Sequence, residues 1–317
     1  MVFAPVTIAT LNRYDHLKRC IESLSRNKWA DKTDIYISLD YPPSEKYVEG
    51  YKRIKEYLCA GIKGFKSVKV YFQSHNLGAA ENAYFIREEA FKEYDCYIGS
   101  EDDNEFAPNF LDYMNKGLEL IKNDDSIIAL TGHSYPVEWP EDEQNVEKIC
   151  TLYDCWGVAL WKDDYYKAKY YIENEMEKEI KEKGGLNKLF KRQRFLMCAT
   201  IDYFQGRNKD MEINGHMRMM DTTMAIYCIM KGKYMVMPKV SLVRNYGADG
   251  SGVHTEGLGY CWHKQIISED KEFEFRTLSP FVYNTGIDKV FNSYIFRSVK
   301  SAVIQRIKYE LDCLMHK

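Results

Sequence analysis

Asp95-Cys96-Tyr97-Ile98-Gly99-Ser100-Glu101-Asp102-Asp103-Asn104-Glu105-Phe106-Ala107-Pro108 is a short apolar run that ends abruptly in three consecutive carboxylates. A strand that delivers clustered acids to a loop suits a hard cation. Mg2+ and Mn2+ prefer oxygen ligands and commonly reach a protein through one or two carboxylates plus the phosphates of a substrate. The same acids also suit a solvated turn capping a helix that begins near Pro108, because negative charge is favoured at a helix N-terminus. The segments around the stretch weigh between the two.

Upstream, Val6-Thr7-Ile8-Ala9-Thr10 is rich in β-branched residues and reads as a first strand. Leu11 to Asp15 ends it before a helix that carries Leu17, Cys20, Ile21 and Leu24 at helical spacing. Asp34 to Asp40 reads as a second strand, stopped by Pro42-Pro43, and a helix from about Ser44 to Cys59 follows. Val68 to Phe72 is a third strand, and His75-Asn76-Leu77-Gly78 turns the chain into a helix from about Ala79 to Tyr94. The acidic strand is thus the fourth. Such alternation predicts an α/β fold with a mostly parallel sheet and helices on both faces. In such a sheet a ligand lies outside the carboxyl ends of the strands, where Thr10 to Arg13, Asp40, Asn76 to Gly78 and Glu101 to Asp103 all emerge. Neither glycine-rich phosphate-loop pattern follows the first strand, so diphosphate charge would need the metal.

Composition narrows the class. The chain has 317 residues, net charge −3 and 45% hydrophobic residues, an ordinary globular balance unlike that of a strongly basic nucleic-acid binder. Its 25 tyrosines suit sugar or nucleobase stacking as well as core packing. The nine cysteines are odd in number and show no C-x-x-C spacing, which suits reduced thiols in a cytoplasmic protein. Met1 to Pro5 lacks the features of a signal peptide, and no apolar run is long enough to span a bilayer. The expected location is cytoplasmic, with peripheral contact on the inner face of the cell membrane as an option.

Pro5 to Arg13, with the helix that follows, resembles the opening of GT-A-fold, nucleotide-sugar-dependent glycosyltransferases, and Glu101-Asp102-Asp103 sits where that superfamily has its metal motif. The continuation Phe106 to Leu111 is similar to the Glu-Asp-Asp variant of the N-acetylglucosaminyltransferase I family. This resemblance implies a GT-A fold, a Rossmann-like mostly parallel sheet flanked by helices. It also implies that Asp103 ligates Mn2+ or Mg2+ while Glu101 and Asp102 order the ribose and the loop. Thr10, Asn12, Arg13, Asp40, Asn76 and Gly78 would then contact the nucleotide. One departure is Ala80-Glu81-Asn82, where many bacterial members have Ala-Arg-Asn; Arg87 is close enough in sequence to substitute.

Further along, Leu152 to Lys162 is similar to a tryptophan-glycine segment of bacterial capsule and O-antigen transferases, which places Trp156 and Gly157 beside the donor sugar and acceptor. Two core tryptophans under a loop is the competing reading, the stronger one for Trp161. Asp163 to Phe204 is highly charged and expected to be largely helical. Asp221 opens an apolar helix and could be an N-cap, but the resemblance makes it the general base facing the acceptor hydroxyl. Ser241 to His254 closely resembles a C-terminal loop of the same transferases, which implies His254 as a second metal ligand and Arg244, Asp249 and Ser251 near the donor diphosphate or acceptor.

The last stretch, from Gly286, carries apolar residues at helical spacing with a modest excess of basic ones, a C-terminal amphipathic helix. It suits packing on its own domain, a homodimer contact or a peripheral membrane contact. The expected organisation is residues 1–132 as the nucleotide-sugar-binding half, 133–260 as the acceptor-binding and catalytic half, and 261–317 as connector and amphipathic helix. The resulting expectation is a metal-dependent, inverting hexosyl- or N-acetylhexosaminyltransferase. It would take a UDP-sugar to a glycan or lipid-linked acceptor in surface polysaccharide synthesis, with no nucleic-acid partner. A sugar-phosphate nucleotidyltransferase and a non-catalytic glycan-binding relative are the alternatives.

Overall fold

The computed structural model describes residues 3–182, 184–252, 262–276, 283–284, 286–295 and 298–315. Its first third follows the periodicity of the sequence: β1 (Val6–Thr10), α1 (Tyr14–Ser25), β2 (Asp34–Leu39), α2 (Val48–Cys59), β3 (Ser67–Phe72), α3 (Ala79–Phe91) and β4 (Cys96–Glu101). Leu17, Cys20, Ile21 and Leu24 of α1 are all buried, as an apolar stripe at i, i+3, i+4 and i+7 requires. A short 3-10 turn, Glu45–Tyr47, takes the place of the first turn expected for α2.

The chain continues as β5 (Asn104–Phe106), α4 (Phe110–Ile121), β6 (Ile127–Thr131), β7 (Val146–Ile149) and β8 (Val158–Trp161). A helical excursion follows, α5 (Lys162–Asn174), α6 (Met176–Glu182), α7 (Gly185–Arg192) and α8 (Arg194–Phe204), and then the small β9 (Glu212–Ile213) and β10 (His216–Met217). Next come α9 (Asp221–Lys231), β11 (Tyr234–Pro238), β12 (Val243–Asn245), α10 (Gly286–Tyr294) and α11 (Val299–Met315). The single periodic stretch read from Gly286 onward is therefore two helices.

The main sheet has eight strands in the order β3-β2-β1-β4-β8-β6-β11-β7. β1 pairs in parallel with β2 and β4, β2 with β3, and β6 with β11. β8 runs antiparallel between β4 and β6, and β7 antiparallel on β11. The molecule is thus the expected α/β fold with a mostly parallel sheet, and that one sheet takes strands from both 1–132 and 133–260. The chain winds outward from β1 to β3 and returns on the other side of β1 as β4. The topological switch point is therefore the β1/β4 boundary, the place where open α/β sheets take their ligands. A separate ribbon pairs β5 with β12, Asn104 opposite Asn245.

The segment 262–276 is strapped over this frame. Phe273 N–H and Trp29 Nε1–H both donate to the Asp112 carboxylate, each at 2.8 Å, and Lys116 Nζ adds a third bond at 2.7 Å. Asp112 has no exposed surface. Asp112→Ala leaves two N–H donors without an acceptor. It should cost about 2–4 kcal/mol in chemical denaturation, whereas an unchanged midpoint would mean that water replaces the carboxylate.

Candidate functional site

At the switch point the ends of β1 and β4 are joined by charge. Arg13, which precedes α1, places its guanidinium between two acids: Nη2 pairs with Asp102 Oδ1, and Nη1 lies 2.7 Å from Asp103 Oδ2. Thr10 Oγ1, at the end of β1, donates to Asp102 Oδ2 at 2.7 Å. The β5–β12 ribbon brings Asn245 alongside, and its Nδ2 donates to Asp103 Oδ1 at 2.7 Å. Tyr246 N–H adds a bond to the Asp103 carbonyl at 2.9 Å. Both carboxylates are buried. Burial pushes Asp102 above its ordinary value and Arg13 opposes this, with repulsion from Asp103 adding to the upward pull. Glu101 opens onto the cleft while protein walls it in; burial, then repulsion from Asp103 and Asp221, raise it well above the usual carboxylate range.

Asp221 is the first residue of α9; it keeps exposed surface although protein crowds its carboxylate, and it lies near enough to Glu101 for their charges to repel. The thiol of Cys155 donates to its Oδ1 at 2.6 Å. Burial pushes Asp221 up to about 6; the Cys155 hydrogen bond holds it down, and the nearby Asp154 charge adds to the rise. Cys155 itself is a thiol at neutral pH, because burial and then the Asp221 charge raise it well above its ordinary value.

Behind Cys155 lies a network that the motif reading did not include. Asp154 accepts from His133 Nδ1 at 2.8 Å, from Tyr135 Oη at 2.7 Å and from Trp156 N–H at 2.8 Å. Burial opposes its ionisation, but His133, Tyr135 and Trp156 together hold Asp154 below the usual range. The His133 ring meets Trp156 edge-on at 4.7 Å, and its Nε2 lies 3.1 Å from Gln265 Oε1 on the 262–276 strap. Gly157 follows at φ 71°, where a side chain would be strained and a Cβ would meet Phe110 at 2.8 Å. His133 stands two residues beyond β6, so the carboxyl-end rule could have singled it out, as it did the other strand ends.

The other expected residues have separate surroundings. Asp40 accepts four hydrogen bonds, from Tyr41 N–H, Leu77 N–H, Gly78 N–H and Asn76 Nδ2, and so ties the 76–78 turn to the end of β2. Gly78 sits at φ 82° ahead of α3. Asn12 is pressed by α2, since a Cβ on Gly50 would lie 2.0 Å from its carbonyl oxygen. Asp249 accepts from Ser251 N–H and Oγ at 2.9 and 2.6 Å, and it meets His16 Nε2 at 2.9 Å, which joins the 247–252 turn to α1. Arg244 turns the other way from Asn245, as successive strand residues do. It pairs with Glu105 at 3.1 Å and donates to the Gln265 carbonyl at 2.7 Å. Arg87 also stays apart from the acids, with its guanidinium 4.1 Å from the Tyr165 ring and donating to the Tyr165 hydroxyl. Trp161 is a packing residue whose Nε1 donates to the Leu118 carbonyl at 3.2 Å. His254 lies outside the described residues.

The carboxylates of Asp102 and Asp103 are the oxygen-only donors that Mg2+ or Mn2+ takes, and each keeps lone pairs beyond those used by Thr10, Arg13 and Asn245. Among the described residues no three His, Cys, Asp or Glu side chains come together as a metal-binding group. The described residues therefore fit a cation held by one or two carboxylates, with substrate phosphates and water completing its shell.

No protein-family model matches the chain, and no curated protein does. Among solved structures the chain is similar to S. aureus TarS, with a TM-score of 0.37 and 12% identity over 55% of this chain and 31% of that one. It is similar also to residues 1–349 of TarS in complex with UDP, with a TM-score of 0.33 and 12% identity over 46% and 40% of the two chains. A third is the mannosyltransferase PcManGT from Pyrobaculum calidifontis in complex with GDP-Man and Mn2+, with a TM-score of 0.33 and 10% identity over 51% and 45%. The chain thus spans about a third to a half of the length of these three proteins.

Arg13 is the positive charge between two buried acids, and removing it strands them. Arg13→Gln should lower stability by about 3–5 kcal/mol. Millimolar Mn2+ should restore part of the lost thermal stability, because a divalent cation replaces the missing charge; no response of the variant's melting temperature to Mn2+ would show that these carboxylates do not take up a cation.

Proposed function

We propose that the chain is a GT-A-type glycosyltransferase that moves a sugar from a nucleotide donor, a UDP-sugar, to an acceptor hydroxyl with inversion, in the assembly of a surface glycan. The observation that carries this reading is the clamped acid pair at the β1/β4 switch point with Glu101 beside it, close enough to Asp221 for their charges to repel, Asp221 being a carboxylate whose proton affinity lies near neutrality. The sequence resemblance of Pro5 to Arg13, Glu101 to Asp103 and Ser241 to His254 supports the same assignment.

In this reading the loops at Thr10 to Arg13, Asp40 and Asn76 to Gly78 receive the nucleoside, and Glu101 and Asp102 order its ribose. Asp103, with His254, would hold Mn2+ or Mg2+, which supplies Lewis-acid stabilisation of the departing diphosphate when bound. Trp156 and Gly157 line the donor sugar. Arg244, Asp249 and Ser251 belong to the ribbon and turn that close over the donor and acceptor side. The acceptor oxygen forms its bond to the anomeric carbon as the bond from that carbon to the diphosphate oxygen breaks. The acceptor's proton passes to an Asp221 carboxylate oxygen, and the nucleoside diphosphate leaves with the bonding electrons. Asp221 suits this work because a base near the working pH combines adequate ionisation with proton affinity. Cys155 orients it by the hydrogen bond to Oδ1.

Calorimetric titration with UDP tests the donor assignment. Binding that strengthens with Mn2+ is expected, and absent or metal-indifferent binding overturns it. Asp221→Asn should keep UDP affinity while kcat falls by about 10²–10⁴; near-normal turnover would reduce Asp221 to a helix cap. The base acts only when ionised, so activity should fall as pH drops through about 6. Cys155→Ala removes the donor that favours the carboxylate and should move this limb to higher pH, whereas an unmoved limb would assign the limb to another group.

A further inference from the structure

α11 is amphipathic in the unexpected sense. Its inner face docks on α8: Ala302 is fully buried, Gln305 Nε2 donates to the Cys198 carbonyl at 3.2 Å and to Asp202 at 2.9 Å, and Tyr309 stacks with Phe204 at 6.0 Å. The opposite face is aliphatic and open. Ile307, Leu311, Leu314 and Met315 are 50%, 52%, 68% and 72% exposed, joined by Val303 and Ile304. With 3.6 residues per turn these six side chains occupy one arc of roughly 120°, turned away from the packed face. Surface helices of a globular chain show the reverse arrangement, apolar inward and polar outward. Packing on its own domain, one of the readings open from sequence, therefore accounts only for the inner face.

The charges on the helix say what the open face accepts. Of its two acids, Glu310 is paired with Arg306 at 2.5 Å, and Asp312 is turned to the α8 side, where it accepts from Gln205 Nε2 at 2.8 Å. Lys300, at the N-terminal end of the arc, and Lys308, along its edge, form no ion pair among the described residues. The open face of a second copy would bring the same lysines and no acid turned toward them. An anionic lipid leaflet answers both features: the aliphatic arc enters the headgroup boundary while the two ammonium groups reach the phosphates. Among the described residues no helix is long and apolar enough to cross a membrane, so such contact lies along the surface.

We propose that the outer face of α11 is a docking surface for an anionic membrane leaflet, seated in the plane of the interface. This does not depend on sugar transfer. The full chain should co-sediment with vesicles of phosphatidylglycerol and phosphatidylcholine and remain in the supernatant with phosphatidylcholine alone. Ile307→Glu with Leu311→Glu should abolish that sedimentation while circular dichroism stays unchanged, since both side chains are exposed. Lys300→Gln with Lys308→Gln should weaken it about thirtyfold, as about 1 kcal/mol per surface-seated lysine implies. Failure to sediment with anionic vesicles overturns the proposal, as does equal sedimentation with both vesicle types. A dimer in light scattering that the Ile307/Leu311 variant dissociates, without vesicle binding by the parent, assigns the face to a second copy instead.

Discussion

The clamp of Arg13 on Asp102 and Asp103 is the interaction on which the cleft depends. Two adjacent carboxylates cannot be buried side by side unless a positive charge and hydrogen-bond donors compensate their desolvation. Arg13 supplies the charge, Thr10 and Asn245 supply donors, and these come from β1, its loop and β12. Meeting that electrostatic demand therefore pins two separate stretches of chain, 10–13 and β12, to the end of β4. It also explains the bare backbone at Gly247, where a Cβ would lie 2.4 Å from Asp103 Oδ2. Only a residue without a side chain lets the β12 turn close so tightly over the acid.

Asp221 stands beside a second ionised centre. Asp154 is held charged by His133, Tyr135 and the backbone of Trp156, and this fixes the direction in which Cys155 leaves the network. The Cys155 thiol then reaches Asp221, whose proton affinity reflects burial opposed by that one donor. The two acids Asp154 and Asp221 thus have contrasting environments and are driven apart in proton affinity, one down and the other up. A pair of titratable groups separated in this way is a candidate for acid–base work. The 262–276 strap secures the arrangement from outside, through Gln265 to His133 and Phe273 to Asp112.

Much of this was legible in the chain itself. Strand and helix alternation through β4 follows from local period and breaker residues, and it placed Thr10, Arg13, Asp102 and Asp103 at the carboxyl end of the sheet. Hydrophobic spacing also marked α1 and the start of α9 at Asp221. The short strands β7 and β8 escaped notice because four residues carry little periodic signal, and each is a strand only through its neighbours. Asn245 went unassigned although its segment was recognised, since its partner Asp103 lies 142 positions away. Arg244 was the more conspicuous cation, but strand alternation turns it to the other side of the ribbon. In α11 the spacing revealed an apolar stripe, yet only the docking on α8 showed which way the stripe faces.

The sequence by itself determined the α/β class, the order of the nucleotide-side elements and the presence of an acid cluster at a strand end, because these depend on local steric preferences and on a period read over a few turns. The tertiary structure alone decided who neutralises those acids, which thiol touches Asp221, and which face of α11 remains open. Those outcomes depend on long-range pairing, in which burial makes each charge and each donor find a partner that no local pattern in the chain can specify.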